Sequence, residues 1–543
     1  MWRPCATSHT QGAPFACSVA LTQRLVLAVC TSACNTQSVS PAVTTSVASA
    51  AAAPRRFAMA TLTPQAGKAP KLRVLVVGGG AAGTAAAWSL SRSEKYAVTL
   101  WESAPVLGGV ATTEELHLPD GTSVRANDGV QGGAVSYRNS LKLHELLGFK
   151  PQQVNMTVAF GKGAATWSNV GAPSDLVVRM QPHIERFGRV LRWVDRLNFV
   201  YAFVSIKTVL RWYSFPADFG DRMVYPLTAL FFGTGNQTPN VSAAIVARVF
   251  LDPQLRLFDY DPQRLLAQSP EMFAFQPLHD IYAALGDNLR AAGAEVCLSR
   301  SLAKVQRNGR RAADPIIATD ASGASHAFDR IILACPADVS LRCLDAGGGA
   351  TWWEKRVLGA VRYYDDVTYT HSDEAYMREH YELDGSTKTD YFIHTTAEDP
   401  SKLEMSFDLG HYQPSLRDRP AGSLPIYQSI FLNKTSCEAS WTLPKLDKGK
   451  VLLVKWWHAF SHEVSHFRWV VPFVRFVQGT VGGTTFYAGS WVLANTHEIA
   501  VMSGLAAAWR LGAPYAFADD PLATSQFDSL LFLAHGRSRR GCC

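Results

Sequence analysis

Residues 71–92 read KLRVLVVGGGAAGTAAAWSLSR, and no other stretch constrains this chain as tightly. Val74 to Val77 is a short apolar run rich in β-branched residues, the pattern of a strand buried on both faces. Gly78, Gly80 and Gly83 follow with GxGxxG spacing, and then a stretch of helical composition. Each glycine has its own physical reason. Gly78 permits a tight turn, Gly80 lets the backbone approach a pyrophosphate, and Gly83 lets the helix pack closely on the strand. A helix opening at Ala81 and Ala82 offers free N–H groups and partial positive charge to phosphates. A second strand is predicted within AVTLWES (residues 97–103), which carries Glu102. An acid roughly twenty residues beyond the glycines accepts hydrogen bonds from ribose hydroxyls and disfavours a 2′-phosphate. Strand, glycines, helix, strand and acid in this order predict a Rossmann-like dinucleotide site.

Six residues past Glu102, ESAPVLGGVATT brings the pair Gly108-Gly109. The spacing E-x(5)-GG resembles the signature of the FAD-dependent amine oxidase and phytoene desaturase superfamily. That resemblance implies FAD, with Gly108 and Gly109 passing close to its phosphates and ribityl chain. ANDGVQGGAVSYRNSLKLHELLGF (residues 126–149) resembles the segment that runs near the flavin and opens a helix. GGTTFYAGSWVLANTHEIAVMSGLAAAWRLGA (residues 482–513) resembles the superfamily's C-terminal FAD motif. There a strand over residues 484–488 meets Gly489, and a helix follows with Ser503 and Gly504 expected in its first turn. Where the superfamily often has an acid after the strand glycine, this chain has Ser490. AEVCLSRSLAKVQRNG (residues 294–309), with Val305, resembles the strand pair lying over the adenine.

The N-terminal and C-terminal motifs are most similar to FAD/NAD(P)-binding amine-oxidase-like proteins related to the flavoprotein part of plant cyclopropane fatty acid synthases. Polyenoic fatty acid isomerases are more distant relatives. YPLTALFFGTGNQTPNVSAAIVARVF (residues 225–250) resembles the substrate side of such isomerases. True amine oxidases usually carry Arg after the Gly-Gly pair. Val110 stands there instead, which weighs against an amine substrate.

Charge and cysteine usage exclude other classes. The net charge is +7, but Arg3, Arg24, Arg55, Arg56 and Lys68 lie in a leader without acids, and Arg537, Arg539 and Arg540 lie at the end. Those residues account for the whole surplus, so the body offers no basic surface of the kind a nucleic acid requires. Residues 1–70 are rich in Ala, Ser and Thr and have no periodic apolar face, as in a transit peptide. Their Ser and Thr content points to a plastid, with a mitochondrion as the alternative. Cys297, Cys335, Cys343 and Cys437 form no CxxC and are read as small hydrophobes.

The middle of the chain is aromatic. RVLRWVDRLNFVYAFVSIKTVLRWYSF (residues 189–215) interleaves Arg and Lys with Trp, Phe and Tyr. It reads either as a basic amphipathic helix pair on a membrane surface or as a helix with its apolar stripe in the core. The spread of its charges favours the core stripe, and its charge excludes a membrane span. His497 and Glu498 lie where superfamily members approach the flavin ring, and they are the candidate catalytic proton carriers. Anchoring the loop by hydrogen bonds is the alternative role. His458, His462 and His466 would share a face on a helix, but the preceding Val-Leu-Leu-Val reads as strand and HExxH is absent. No metal is expected.

The expected fold class is therefore α/β with a second α+β domain, a Rossmann-like FAD/NAD(P)-binding fold with an interleaved substrate domain. The FAD-binding domain is assigned to residues 72–150, 280–345 and 480–515, the substrate domain to 151–279 and 346–479, and a tail to 516–543. No Cys or His stands in an attachment motif, so FAD is expected to bind non-covalently. The resemblance implies an FAD-dependent oxidoreductase acting on a small lipophilic unsaturated substrate, fatty acyl or carotenoid. Desaturation and double-bond isomerisation both begin with hydride transfer from an allylic carbon to the flavin. An amine or amino-acid oxidase, and a non-catalytic flavoprotein partner of a lipid-modifying enzyme, are the alternatives. A nicotinamide-dependent reductase is disfavoured, because no second GxGxxG follows a strand. The chain is read as either soluble or peripheral to a membrane, and the sequence leaves the oligomeric state open.

Overall fold

Strand β1 (Leu72–Val77) is the centre of a five-stranded parallel sheet, and its residues from Val74 onward are buried as a doubly covered strand requires. Helix α1 (Ala81–Ser91) returns the chain to β2 (Tyr96–Trp101), which pairs with β1 from Leu72↔Tyr96 to Val77↔Trp101. The remaining strands arrive from far along the chain: β3 (Glu295–Cys297), β4 (Arg330–Leu333) and β5 (Thr485–Tyr487). The spatial order is β3-β2-β1-β4-β5. The computed structural model describes residues 70–539, apart from 269–270, 308–313, 384–387 and 397–398. The predicted leader, up to residue 69, and the terminal Cys-Cys lie outside the described residues.

A seven-stranded, mostly antiparallel sheet stands beside the parallel one. Its order is Val451–Phe460, Tyr363–His371, Tyr427–Phe431, Leu403–Asp408, Tyr391–Thr395, Val158–Phe160 and Trp167–Ser168. Every strand of this sheet falls in the segments assigned to the substrate domain, and every strand of the parallel sheet in those assigned to the dinucleotide domain. Helices α2 (Arg138–Leu146), α3 (Asp175–Arg196), α4 (Ala243–Leu251), α5 (Leu278–Ala291) and α6 (His497–Leu511) pack around the two sheets. Gly504 of α6 meets α1 so closely that a methyl group on it would lie 2.0 Å from the Ala82 carbonyl oxygen.

Three expectations are corrected. The segment 294–309 does not form a strand pair. β3 is the edge of the parallel sheet, whereas Leu302–Arg307 opens a separate antiparallel sheet and pairs with Ile316–Asp320. Helix α6 begins at His497, so Ser503 and Gly504 lie a full turn or more inside it. The Thr496 hydroxyl accepts the Ile499 N–H and sets that earlier start. The expected tail contains helix α7 (Pro521–His535), capped by Asp520, whose carboxylate accepts the Ala523 N–H. Ala523, Phe527, Leu530, Leu531 and Ala534 recur at helical spacing and are buried.

Candidate cofactor and active site

The glycines after β1 separate by what surrounds them. Gly78 has φ +102°, and a methyl group on it would lie 2.6 Å from the Ala334 carbonyl oxygen. On Gly83 it would lie 1.8 Å from the Gly78 carbonyl oxygen. Protein packing alone therefore demands these two. Gly80 is different: its backbone is extended, and the nearest atoms to an added methyl are Gly109 Cα at 3.8 Å and Gly108 O at 3.9 Å. The protein leaves room there, beside an α1 N-terminus that no side chain caps. Ala81 is half-exposed at that end, while Ala82 and the rest of α1 to Leu90 are buried.

The second glycine pair is stitched to the first. The Gly108 N–H donates to the Gly79 carbonyl at 2.9 Å, and Gly108 and Gly109 have φ of +125° and +62°. Glu102, just past β2, is buried, and its carboxylate accepts the Gly79 N–H at 2.5 Å and the Ala104 N–H at 2.7 Å. Across the sheet, Gly489 has φ +140° and donates its N–H to Ser503 Oγ at 2.8 Å. The Ser503 hydroxyl in turn donates to the Ala500 carbonyl. Ser490 is half-buried, and its hydroxyl donates to Asn495 Oδ1 at 3.3 Å. Val305 lies in the strand Leu302–Arg307. Its side chain is buried and its backbone pairs with Ala318 in the antiparallel sheet.

His497 and Glu498 are both held by hydrogen bonds to neighbouring elements. The carboxylate of Glu498 accepts the backbone N–H groups of Asn139 and Ser140 and the Asn139 side-chain amide, each at 2.8 Å. It thereby caps α2, whose own N-cap residue Tyr137 provides no side-chain bond. Burial pushes its pKa up, and these hydrogen bonds oppose that. His497 is held between the Tyr282 hydroxyl at 2.7 Å and Ser140 Oγ at 3.0 Å, and burial lowers its pKa to about 4. Of the two roles read from the sequence, the loop-fixing one matches the bonds these residues make.

The three spaced histidines do not share a helix face. His458 is on a strand beside Asp365 and Asp338, whereas His462 and His466 are buried, and desolvation lowers both to a pKa of about 3. Among the described residues no group of His, Cys, Asp or Glu is placed to hold a metal ion. The four cysteines of the body are free thiols, with Cys343 and Cys437 buried.

A buried polar network went unnoticed in the sequence. Asp128 lies in the NDG of the segment expected near the flavin. Gln428 Nε2 donates to Asp128 Oδ1, and Gln131 Nε2 donates to Gln428 Oε1 at 2.8 Å. Lys455 Nζ lies 3.8 Å from Asp128 Oδ2 and pairs with Glu114 and Thr112. Desolvation raises the pKa of Asp128 to about 6, against the pull of Lys455. Asp128 Oδ2 and Gln131 Oε1 are buried and have no hydrogen-bond partner among the described residues. Trp457 packs against the strand Ser123–Gly129, so that a methyl on Gly129 would lie 2.8 Å from its ring.

A narrow apolar cavity opens near the start of α6. Phe232, Ile245, Val249, Leu255, Leu257 and Ile499 line it, with Tyr137, Thr496 and Glu498 at its polar side.

Residues 76–144 match the family described as NAD(P)-binding Rossmann-like domain. No curated protein matches the chain by sequence. Solved structures match over most of its length. Putrescine oxidase bound to putrescine shares 13% identity with a TM-score of 0.57, covering 82% of this chain and 100% of its own. A CLA-producing fatty acid isomerase from P. acnes shares 15% identity with a TM-score of 0.56, covering 80% and 97%. Cyclohexylamine oxidase from Brevibacterium oxydans shares 12% identity with a TM-score of 0.53, covering 81% and 100%. The chain has the FAD-dependent amine oxidase fold.

Within the amine oxidase fold, the residues present suit a flavin dinucleotide. The open space over Gly80, the uncapped α1 N-terminus and the buried Glu102 carboxylate meet at one place, which is what a pyrophosphate and its ribose require. Asp128 Oδ2 and Trp491 Nε1, both buried and without a hydrogen-bond partner among the described residues, lie in the two segments expected beside the flavin.

Proposed function

We propose that this protein is an FAD-dependent oxidoreductase that binds FAD non-covalently and acts on a lipophilic unsaturated substrate, by desaturation or double-bond isomerisation. Gly78 to Gly83, Glu102 and the Gly108-Gly109 pair would hold the dinucleotide. Bound there, the flavin would supply hydride acceptance and return. The observation that carries the substrate reading is the apolar lining beside α6, where a cavity of about 20 Å³ holds little more than a water molecule and would have to widen to admit a substrate. Six large apolar side chains line it, and its carboxylate, Glu498, is committed to Asn139 and Ser140. A charged amine would find no uncommitted anion in that lining, whereas apolar substrate surface buried against it gains about 25 cal/mol per Å². Phe232, Ile245 and Val249 belong to the segment resembling fatty acid isomerases, and a fatty acid isomerase is among the structural neighbours. Delivery to a plastid, or alternatively a mitochondrion, by residues 1–70 belongs to the same reading, and fusing those residues to a fluorescent protein tests it.

The deciding experiment is a visible spectrum of the purified protein before and after heat release of the cofactor, with mass spectrometry of extracted lipids. Free FAD with a co-purifying fatty acid or polyene supports the proposal. Flavin without lipid, together with flavin reduction by amines, assigns the protein to the amine oxidases instead. A colourless protein that cannot be reconstituted with FAD removes the cofactor assignment itself.

A further inference from the structure

Helix α3 turns two faces to different surroundings. Ile184, Phe187, Val190, Leu191 and Val194 form its buried stripe. Beyond them the surface is apolar as well: Trp193 is 54% exposed, Phe199 56% and Trp212 62%, with Leu197, Val200 and Phe203 also exposed. These six belong to residues 193–212, which run through the short helices Asn198–Tyr201 and Ile206–Trp212. The Tyr201 and Tyr213 hydroxyls, 3.0 Å apart, tie the two helices together. Arg468 donates to the Phe203 carbonyl and brings the exposed Trp469 alongside. Isolated exposed hydrophobes need no explanation, but six large ones within twenty residues, four of them aromatic, concentrate apolar surface on one segment.

The same segment is basic. Arg189, Arg192, Arg196, Lys207 and Arg211 are exposed, and among the described residues none of them forms an ion pair. Arg196 instead lies over the Trp193 ring at 5.6 Å. Aromatic rings beside unpaired cations complement one particular environment, the boundary between acyl chains and anionic headgroups. We propose that this face docks the protein on an anionic lipid bilayer. A second copy is a poor occupant, because an isologous contact would set these five cations against their own image. The contact is peripheral: among the described residues no helix is long and apolar enough to cross a membrane.

The surface also has a place in the fold. Helix α4 packs against α3, and its Ile245 and Val249 line the cavity near α6. A bilayer on the outer face of α3 would therefore lie next to the helix layer that walls the cavity. The docking proposal does not depend on the substrate assignment, and the two fail separately, because flavin content and turnover are measured without vesicles.

The test is flotation of the full-length protein with vesicles of phosphatidylcholine containing phosphatidylglycerol, against vesicles of phosphatidylcholine alone. Wild-type protein should float with the anionic vesicles, and raised salt should weaken that association. The triple variant Trp193→Ser, Phe199→Ser, Trp212→Ser should bind at least tenfold more weakly, as should Arg192→Glu, Arg196→Glu, Lys207→Glu. The basic leader is present in every variant, so its contribution is constant. Unchanged melting and flavin content show that the variants fold. Should a triple variant misfold, Trp212→Ser alone must weaken binding at least threefold, and brominated acyl chains must quench wild-type tryptophan fluorescence. Variants that float like wild type, wild-type protein that does not float, or a patch-dependent dimer without vesicle binding would each overturn the proposal.

Discussion

The carboxylate of Glu498 caps a helix from far earlier in the chain, accepting the N–H groups of Asn139, 359 residues before it, and of Ser140 at 2.8 Å. A buried acceptor that serves three donors is costly to remove, because those donors are left without partners. Glu498→Ala should therefore destabilise the fold by about 1–3 kcal/mol, seen as a lowered chemical-denaturation midpoint. Glu498→Gln keeps an acceptor oxygen and should lose less. Flavin reduction by substrate in the folded, flavin-loaded variants should stay near wild type. Normal stability with abolished turnover would return Glu498 to the chemistry.

Gly80 and Gly83 should fail differently when enlarged. Gly83→Ala drives a methyl group to 1.8 Å from the Gly78 carbonyl oxygen, so the βα unit cannot close and soluble yield should collapse. The β-carbon of Gly80→Val stands 3.8 Å from the nearest protein atom, and the variant should give a folded protein without flavin. Circular dichroism with a flavin absorbance spectrum separates the two. A folded, yellow Gly80→Val protein would place the pyrophosphate elsewhere.

Glu102 holds Gly79 and Ala104 through the two oxygens of one buried carboxylate. Glu102→Ala removes that brace together with the acceptor for the ribose. The loss should be about 1–3 kcal/mol, or roughly tenfold to a hundredfold in FAD affinity by titration of the apoprotein. Glu102→Gln should fall between the two, since it retains one acceptor. Equal affinity in all three proteins would show that the ribose is held by other groups.

What could be read in advance was local. β1, the glycines, α1, β2 and Glu102 are contiguous, and each residue's reason is contained in its neighbours. The start of α6 was misjudged because its signal is the single hydroxyl of Thr496, within a stretch where Ser503 and Gly504 seemed the stronger landmarks. Of the two readings of residues 189–215, the buried stripe of a core helix is present, with Val190 and Val194 inward and Trp193 outward between them on the same helix. Asp128, Gln428 and Lys455 were out of reach altogether. Some three hundred residues separate the first from the others, and only strand topology brings them together.

Asp128 gives that network a pH signature. Its pKa rises to about 6, mainly because burial penalises the charged carboxylate. Between the ordinary aspartate value and about 6, the folded protein holds a proton that the unfolded chain has released. The stabilisation linked to this proton is complete below the unfolded value and is lost as pH rises through about 6. Asp128→Asn cannot titrate. The stability of wild type relative to this variant should therefore fall by about 1.4 kcal/mol per pH unit across that window and level off above it. Denaturant unfolding at constant salt and saturating flavin measures the difference directly. Lys455→Met removes the cation 3.8 Å away, which holds the carboxyl down, and should extend the window to higher pH. Parallel stability curves for wild type and Asp128→Asn would mean that Asp128 titrates in the fold as in the unfolded chain, with Gln428 and Lys455 offsetting the cost of its burial.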